Sequence, residues 1–218
     1  MLSVISEYIK LHRHELGQTA LFVGSGVVIP PLEQRLEDLL QTMALDWSGH
    51  RLDALPPERR GLEALELFAR EVPDHAERCN MLRQRLADAR PSEGHIRLAR
   101  LIKDGYFPTI FLAEPDRLLE QCLAVNHMEP EKDYHHFVAG PDDGETIAVG
   151  VRDSARVVLV KCAGDVESKF LPLSRAEVQD SYAQVAQVLQ ETFKVFSIFS
   201  AICLPWPGFR PSSSTRSS

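Results

Sequence analysis

Two kinds of hydrophobic pattern alternate along the chain. Short, unbroken apolar runs occur at Ala20-Leu21-Phe22-Val23, at Thr109-Ile110-Phe111-Leu112-Ala113 and from Arg156 to Lys161 (RVVLVK). Runs of that length, rich in β-branched and aromatic residues, read as strands buried on both faces. Between them apolar residues recur every three or four positions, as in helices with one buried stripe. Such stripes run through residues 2–16 (Leu2, Ile5, Tyr8, Ile9, Leu16), which Gly17 closes, and through 32–44 (Leu32, Leu36, Leu39, Leu40, Met43). Two more cover 61–72 (Leu62, Leu65, Phe68, Val72) and 74–89 (Ala76, Cys79, Leu82, Leu86), the second capped by Asp74. Ser92 caps a further helix with Ile96, Ala99 and Ile102 inward, ended by Gly105. A short helix over residues 116–124 (DRLLEQCLA) follows the second strand. A long one runs from Ser174 to about Phe193, with Val178, Tyr182, Val185, Val188 and Leu189 inward, and VFSIFSAICL supplies a last strand.

The remaining stretches are punctuated by turn residues. Residues 46–60 form a loop with Gly, two prolines and mixed charge, and residues 125–146 are polar and carry His127, His135 and His136. His135 and His136 point to opposite faces of an extended chain, which favours a solvated loop over a metal site. Thr146 to Val151 reads as an edge strand, and residues 205–218, rich in Pro and Ser, as a disordered tail. Strands alternating with helices define an α/β fold: a Rossmann-like, mainly parallel sheet flanked by helices. Residues 1–204 form one domain, and the almost wholly helical stretch at about 32–104 is a helical insertion beside the sheet.

In such sheets ligands sit at the carboxyl ends of the strands. Three turns leave those ends here: Gly24-Ser25-Gly26, Glu114-Pro115-Asp116 and Cys162-Ala163-Gly164-Asp165. A Gly-x-Gly turn between a strand and a helix lets the backbone approach a phosphate closely, with exposed N–H groups to hold it. The dinucleotide fingerprint is incomplete, because Ile29 stands where its third glycine belongs. An ordinary strand-to-helix turn explains the two glycines equally well. Helix capping accounts for Asp116 as readily as ligand contact does, Asp165 fits a turn, and His95 reads as a histidine satisfied within a packed helix face.

Composition narrows the partners. The 218 residues carry 24 Lys and Arg against 31 Asp and Glu, a net charge of −7, with no basic run longer than two. No basic field attracts phosphate chains, so general affinity for nucleic acid or for an anionic membrane surface is not expected. No apolar run reaches the length of a membrane span. Cys79, Cys122, Cys162 and Cys203 lie far apart, without the close spacing of a zinc or redox pair. With no signal peptide in the charged N-terminal pattern, reduced thiols in a cytoplasmic protein are expected.

Four stretches in order resemble the sirtuin-like NAD-binding family, particularly the bacterial branch found in defence systems. LFVGSGVVIP resembles the family's strand, G-A-G turn and downstream G-I-P. PSEGHIRLARLIKDGYFPTIFLAEPDRLLEQCL resembles its His-bearing helix, strand, T-T-N-x-D and following helix. VVLVKCAGDVES resembles the strand that ends in K-L-H-G-D, and LPLSRAEVQDSY the segment after it. The resemblance spans about residues 19–182. It implies a nucleotide site at Gly24, Ser25, Gly26, Asp116, Gly164 and Asp165, with NAD or ADP-ribose as the ligand and no metal, since the family's zinc module is absent.

Two departures bear on chemistry. Glu114 stands where the resemblance implies the Asn that contacts the nicotinamide-ribose region, and Ala163 stands where it implies the histidine base. An alanine takes no proton, so the family's general base is missing. The expectation is a degenerate, catalytically inactive sirtuin-like domain. It would act as a nucleotide-sensing or protein-interaction module in a bacterial defence-type system, alongside a protein partner or further domains of a longer chain. The alternative is an active NAD hydrolase working through other residues: the Glu114 carboxylate, which would also repel a pyrophosphate in the same cleft, or a histidine such as His127, His135 or His136. An ordinary nucleotide-binding domain that shares only the fold is the third reading.

Overall fold

The computed structural model describes residues 19–24, 56–195 and 197–201. The expected helices at 2–16 and 32–44, Ser25, Gly26, Cys203 and the 205–218 tail lie outside the described residues. Five strands, β1 (Thr19–Val23), β2 (Thr109–Leu112), β3 (Tyr134–Val138), β4 (Val157–Lys161) and β5 (Ser197–Ala201), form one sheet in the order β3-β4-β2-β1-β5. Every adjacent pair is parallel, with Val23 beside Leu112, Leu112 beside Lys161, and Val138 also beside Lys161. Among the described residues six helices accompany it: α1 (Pro57–Glu71), α2 (His75–Leu86), α3 (Glu93–Lys103), α4 (Leu118–Val125), α5 (Gly144–Asp153) and α6 (Arg175–Val195). The chain has an α/β, Rossmann-like fold.

Alternation of side chains along each strand divides the core into two faces. Leu21, Val23, Ile110, Leu112 and Leu159 meet Ala99 and Ile102 of α3 and Leu119, Cys122 and Leu123 of α4. Ala20, Phe111, Val158 and Val160 point the other way, onto Ile147 of α5 and Val185 and Val188 of α6. Covered on both faces, these strands carry no polar side to alternate, so they read as continuous apolar runs.

Helices α1 and α2 pack against each other and onto the segment after β4, through Leu65, Phe68, Cys79, Leu82, Val166, Leu171 and Leu173. The Arg78 guanidinium, 1% exposed, stitches this block together. It donates to the carbonyls of Ala69, Val72 and Leu171 and to Glu177 Oε2 on α6. Asp74 caps α2 by accepting from the Glu77 N–H at 2.8 Å. Ser92 caps α3, with His95 completing a reciprocal capping box.

Two expectations are overturned. Thr146–Val151 is not an edge strand but lies within α5. Asp143 accepts from the Thr146 N–H at 2.9 Å and from its hydroxyl at 2.7 Å, starting a helix that buries Ile147 and half-buries Val151 one turn on. The His135-His136 stretch is not a loop but part of β3, recruited by pairing with β4. The two rings do lie on opposite faces: His135 packs beside Phe137, while His136 turns towards Glu120.

Candidate functional site

With all strands parallel, their carboxyl ends open on one rim. Gly24 is buried at the end of β1, and the Ala113 N–H donates to the Val23 carbonyl at 2.9 Å, which brings Glu114 to the neighbouring position. The Cys162 N–H donates to the Leu112 carbonyl at 2.7 Å, so the turn after β4 begins against the end of β2. The structure thus brings together Gly24, Glu114, Asp116, Ala163, Gly164 and Asp165, while Ser25 and Gly26 lie outside the described residues.

A buried charge cluster occupies the β2–β4–β3 part of this rim. Lys161, fully buried, directs its ammonium at the Asp116 carbonyl, at Glu120 Oε1 (3.0 Å) and at Asp165 Oδ1 (3.2 Å), three acceptors for three N–H donors. Arg117 grips Asp165 as a fork, Nε to Oδ1 at 2.7 Å and Nη2 to Oδ2 at 2.5 Å. The Ser168 backbone and hydroxyl also donate to Asp165 Oδ2. His136 Nε2 lies 3.6 Å from Glu120 Oε1. Burial pushes the Glu120 and Asp165 carboxyls up, but Lys161 beside both, with His136 at Glu120 and Arg117 at Asp165, prevails and holds each at about 2.

Oxygens of Glu120 and Asp165 and a ring nitrogen of His136 lie within 4.8 Å of one another, a spacing that suits a cation. Lys161 already donates to both carboxylates, so a divalent ion would have to displace its ammonium. The residues fit an internally neutralised cluster better than a metal centre.

Gly164 has φ +81°, and a Cβ there would sit 2.3 Å from the Phe170 carbonyl oxygen and 2.6 Å from Pro172 Cδ. The turn it makes is closed by mutual backbone hydrogen bonds between Asp165 and Phe170. Asp116 Oδ1 accepts from the Leu118 N–H at 3.0 Å and so starts α4. Ala163 is buried. Burial also pushes the Cys162 thiol to about 12 and, with Asp165 nearby, Cys79 to about 11, so neither is a thiolate nucleophile.

On the β1–β2 side stands a second pair. Glu114 is 5% exposed and His95 of α3 is 2% exposed, with His95 Nε2 3.8 Å from Glu114 Oε2. Burial raises the Glu114 carboxyl above its ordinary range, an effect that nearby Asp116 adds to and that His95 and Lys161 oppose. The expectation of a fully satisfied His95 holds for Nδ1, which accepts from the Ser92 N–H, but not for Nε2, which has no hydrogen-bond partner among the described residues.

Sequence reasoning did not single out Arg117, Glu120 and His136 as members of one cluster. The Lys161-x-x-x-Asp165 and Arg117-x-x-Glu120 spacings are its local traces; the Lys161–Glu120 and Arg117–Asp165 partners are 41 and 48 residues apart.

The fold and rim define an α/β Rossmann-like domain with paired buried charges where ligands of this class bind. No family model matches the sequence, and no curated protein matches it. No helix among the described residues is long and apolar enough to cross a membrane.

Proposed function

We propose that this chain is a degenerate sirtuin-like domain that does not hydrolyse NAD and acts as a nucleotide-sensing or protein-interaction module. One observation carries the reading: buried Ala163 occupies the rim position where the resemblance implies the histidine base, and its methyl group accepts no proton. The neighbouring ionisable groups Lys161, Asp165, Arg117 and Glu120 are committed to one another by hydrogen bonds and ion pairs, which removes them as replacements. The residues that the resemblance implies for NAD or ADP-ribose, Gly24, Gly164, Asp165 and Asp116, sit at the carboxyl ends of the strands, with Asp165 itself buried and engaged by Lys161, Arg117 and Ser168. The bacterial defence-type setting, with a protein partner or further domains, rests on the resemblance alone.

One observation favours the alternative of an active NAD hydrolase. Glu114 is a buried carboxyl with a raised proton affinity at the same rim, the kind of group that serves as an acid or base. Thermal unfolding with millimolar NAD or ADP-ribose tests the sensing version. A ligand that binds only the folded state, at ten times its Kd, stabilises by about 1.4 kcal/mol and raises Tm. A shift with either ligand supports nucleotide sensing; no shift leaves protein interaction. Nicotinamide release from NAD supports the hydrolase instead.

A further inference from the structure

We propose that His95 and Glu114 form a binding site for one hydroxyl oxygen, supplied by an alcohol-bearing ligand or by a single held water. The inference starts from the tautomer of His95. Its Nδ1 lies 3.1 Å from the Ser92 N–H, a group that can only donate, and 2.8 Å from the Ser92 hydroxyl, which can give or take a proton; with Nδ1 the acceptor of the Ser92 N–H, the proton of the neutral ring is on Nε2, the nitrogen that faces Glu114. At 3.8 Å, Nε2 and Oε2 are too far apart for a direct hydrogen bond. An oxygen about 2.8 Å from each would bridge them.

Both side chains are more than nine-tenths buried, and His95 Nε2 has no hydrogen-bond partner among the described residues; nor has Glu114 Oε1, the second oxygen of the carboxyl whose Oε2 faces the ring. Buried polar atoms in this state favour any group that completes them. The two side chains come from separate elements, α3 and the turn after β2, and the ring is fixed by the cap it makes with Ser92. The two side chains are therefore held in place by structure already committed elsewhere.

The donor and acceptor set selects the ligand chemistry. A hydroxyl accepts from Nε2–H and donates to a Glu114 carboxylate, or accepts from the carboxyl when it is protonated, so it fits both charge states. A carbonyl oxygen has no proton to give the carboxylate. A phosphate oxygen placed there meets the Glu114 carboxyl with Asp116 nearby, a like-charge repulsion. The proposal does not rest on the nucleotide reading, since any alcohol or water of the right size satisfies it.

The test uses the whole chain with ¹⁵N-labelled histidine, at pH 7, with the His95 resonances assigned from His95→Gln. The expected result is a protonated Nε2 whose proton shows magnetisation transfer to a long-lived water. In the ligand arm, glycerol or D-ribose displaces that water and shifts the Nε2 resonance saturably. The first signal alone identifies a held water, and the second identifies an alcohol site; either supports the proposal. Glu114→Leu, where it folds, abolishes both signals, while Glu114→Gln retains them. A wild-type ring with Nε2 unprotonated overturns the proposal, as does an Nε2 proton showing neither signal because it bonds directly to the carboxylate.

Discussion

Replacing Lys161 by Met removes the cation on which two buried carboxylates depend. In the native chain its ammonium lies 3.0 Å from Glu120 and 3.2 Å from Asp165, with Lys161 and Asp165 fully buried. Methionine fills a similar volume without charge, so the substitution isolates the electrostatics. Glu120 is held at about 2 against an ordinary 4.5. At about 1.4 kcal/mol per unit, that displacement is worth about 3 kcal/mol to the folded state at neutral pH. Arg117 continues to hold Asp165, which keeps the loss within the range for breaking a buried pair, about 3–5 kcal/mol.

The sign of the pH dependence follows from the depressed carboxyls. Their contribution is fully present above their unfolded values and is lost as pH falls towards about 2. Without Lys161, burial drives Glu120 upwards, so the variant takes up a proton on folding in mildly acidic solution. The gap between wild type and Lys161→Met is therefore largest near pH 7.5 and shrinks by pH 4.5. Urea unfolding at the two pH values measures it. A gap below 1 kcal/mol at pH 7.5, or one that does not change with pH, would refute the reasoning.

Two further substitutions probe the rim. Glu114→Gln removes a carboxyl whose proton affinity burial has raised; such a group contributes stability below its unfolded value and loses it as pH rises through the folded one. The variant is thus more stable than wild type at pH 7 and equal to it near pH 3, as thermal unfolding across pH will read. Gly164→Ala places a Cβ against the Phe170 carbonyl at positive φ, and a loss of about 2–3 kcal/mol in denaturant unfolding is expected; a neutral result would contradict the tight turn.

Much of the fold was legible because burial leaves a one-dimensional trace. Strands β1, β2 and β4 appear as unbroken apolar runs, and the Asp74 and Ser92 caps precede the helices they start. The misreadings occur where local pattern is ambiguous. Thr146–Val151 is rich in β-branched residues and alternates weakly, and only Asp143 just before it announces a helix. Strand β3 reads Tyr-His-His-Phe-Val, too polar to stand out, and is made a strand by its ladder to β4.

The site was legible in outline and not in detail. The carboxyl ends follow from the strand assignments, so Glu114, Asp116, Ala163, Gly164 and Asp165 were gathered from sequence. Their use was not. Asp165, which reads as a turn residue, proves to be the anchor for Lys161, Arg117 and Ser168, contacts that depend on packing between β4 and α4. Likewise nothing in the sequence indicates that His95, on α3 before β2, faces Glu114 in the turn after β2.

The proposed function rests on Ala163 standing where the resemblance implies a histidine base. Purified chain incubated with NAD at neutral pH, with nicotinamide followed chromatographically, tests it most directly. The account predicts no release above the rate without protein. Turnover that disappears in Glu114→Gln or Asp116→Ala would contradict it and transfer the chemistry to the carboxyl end of β2.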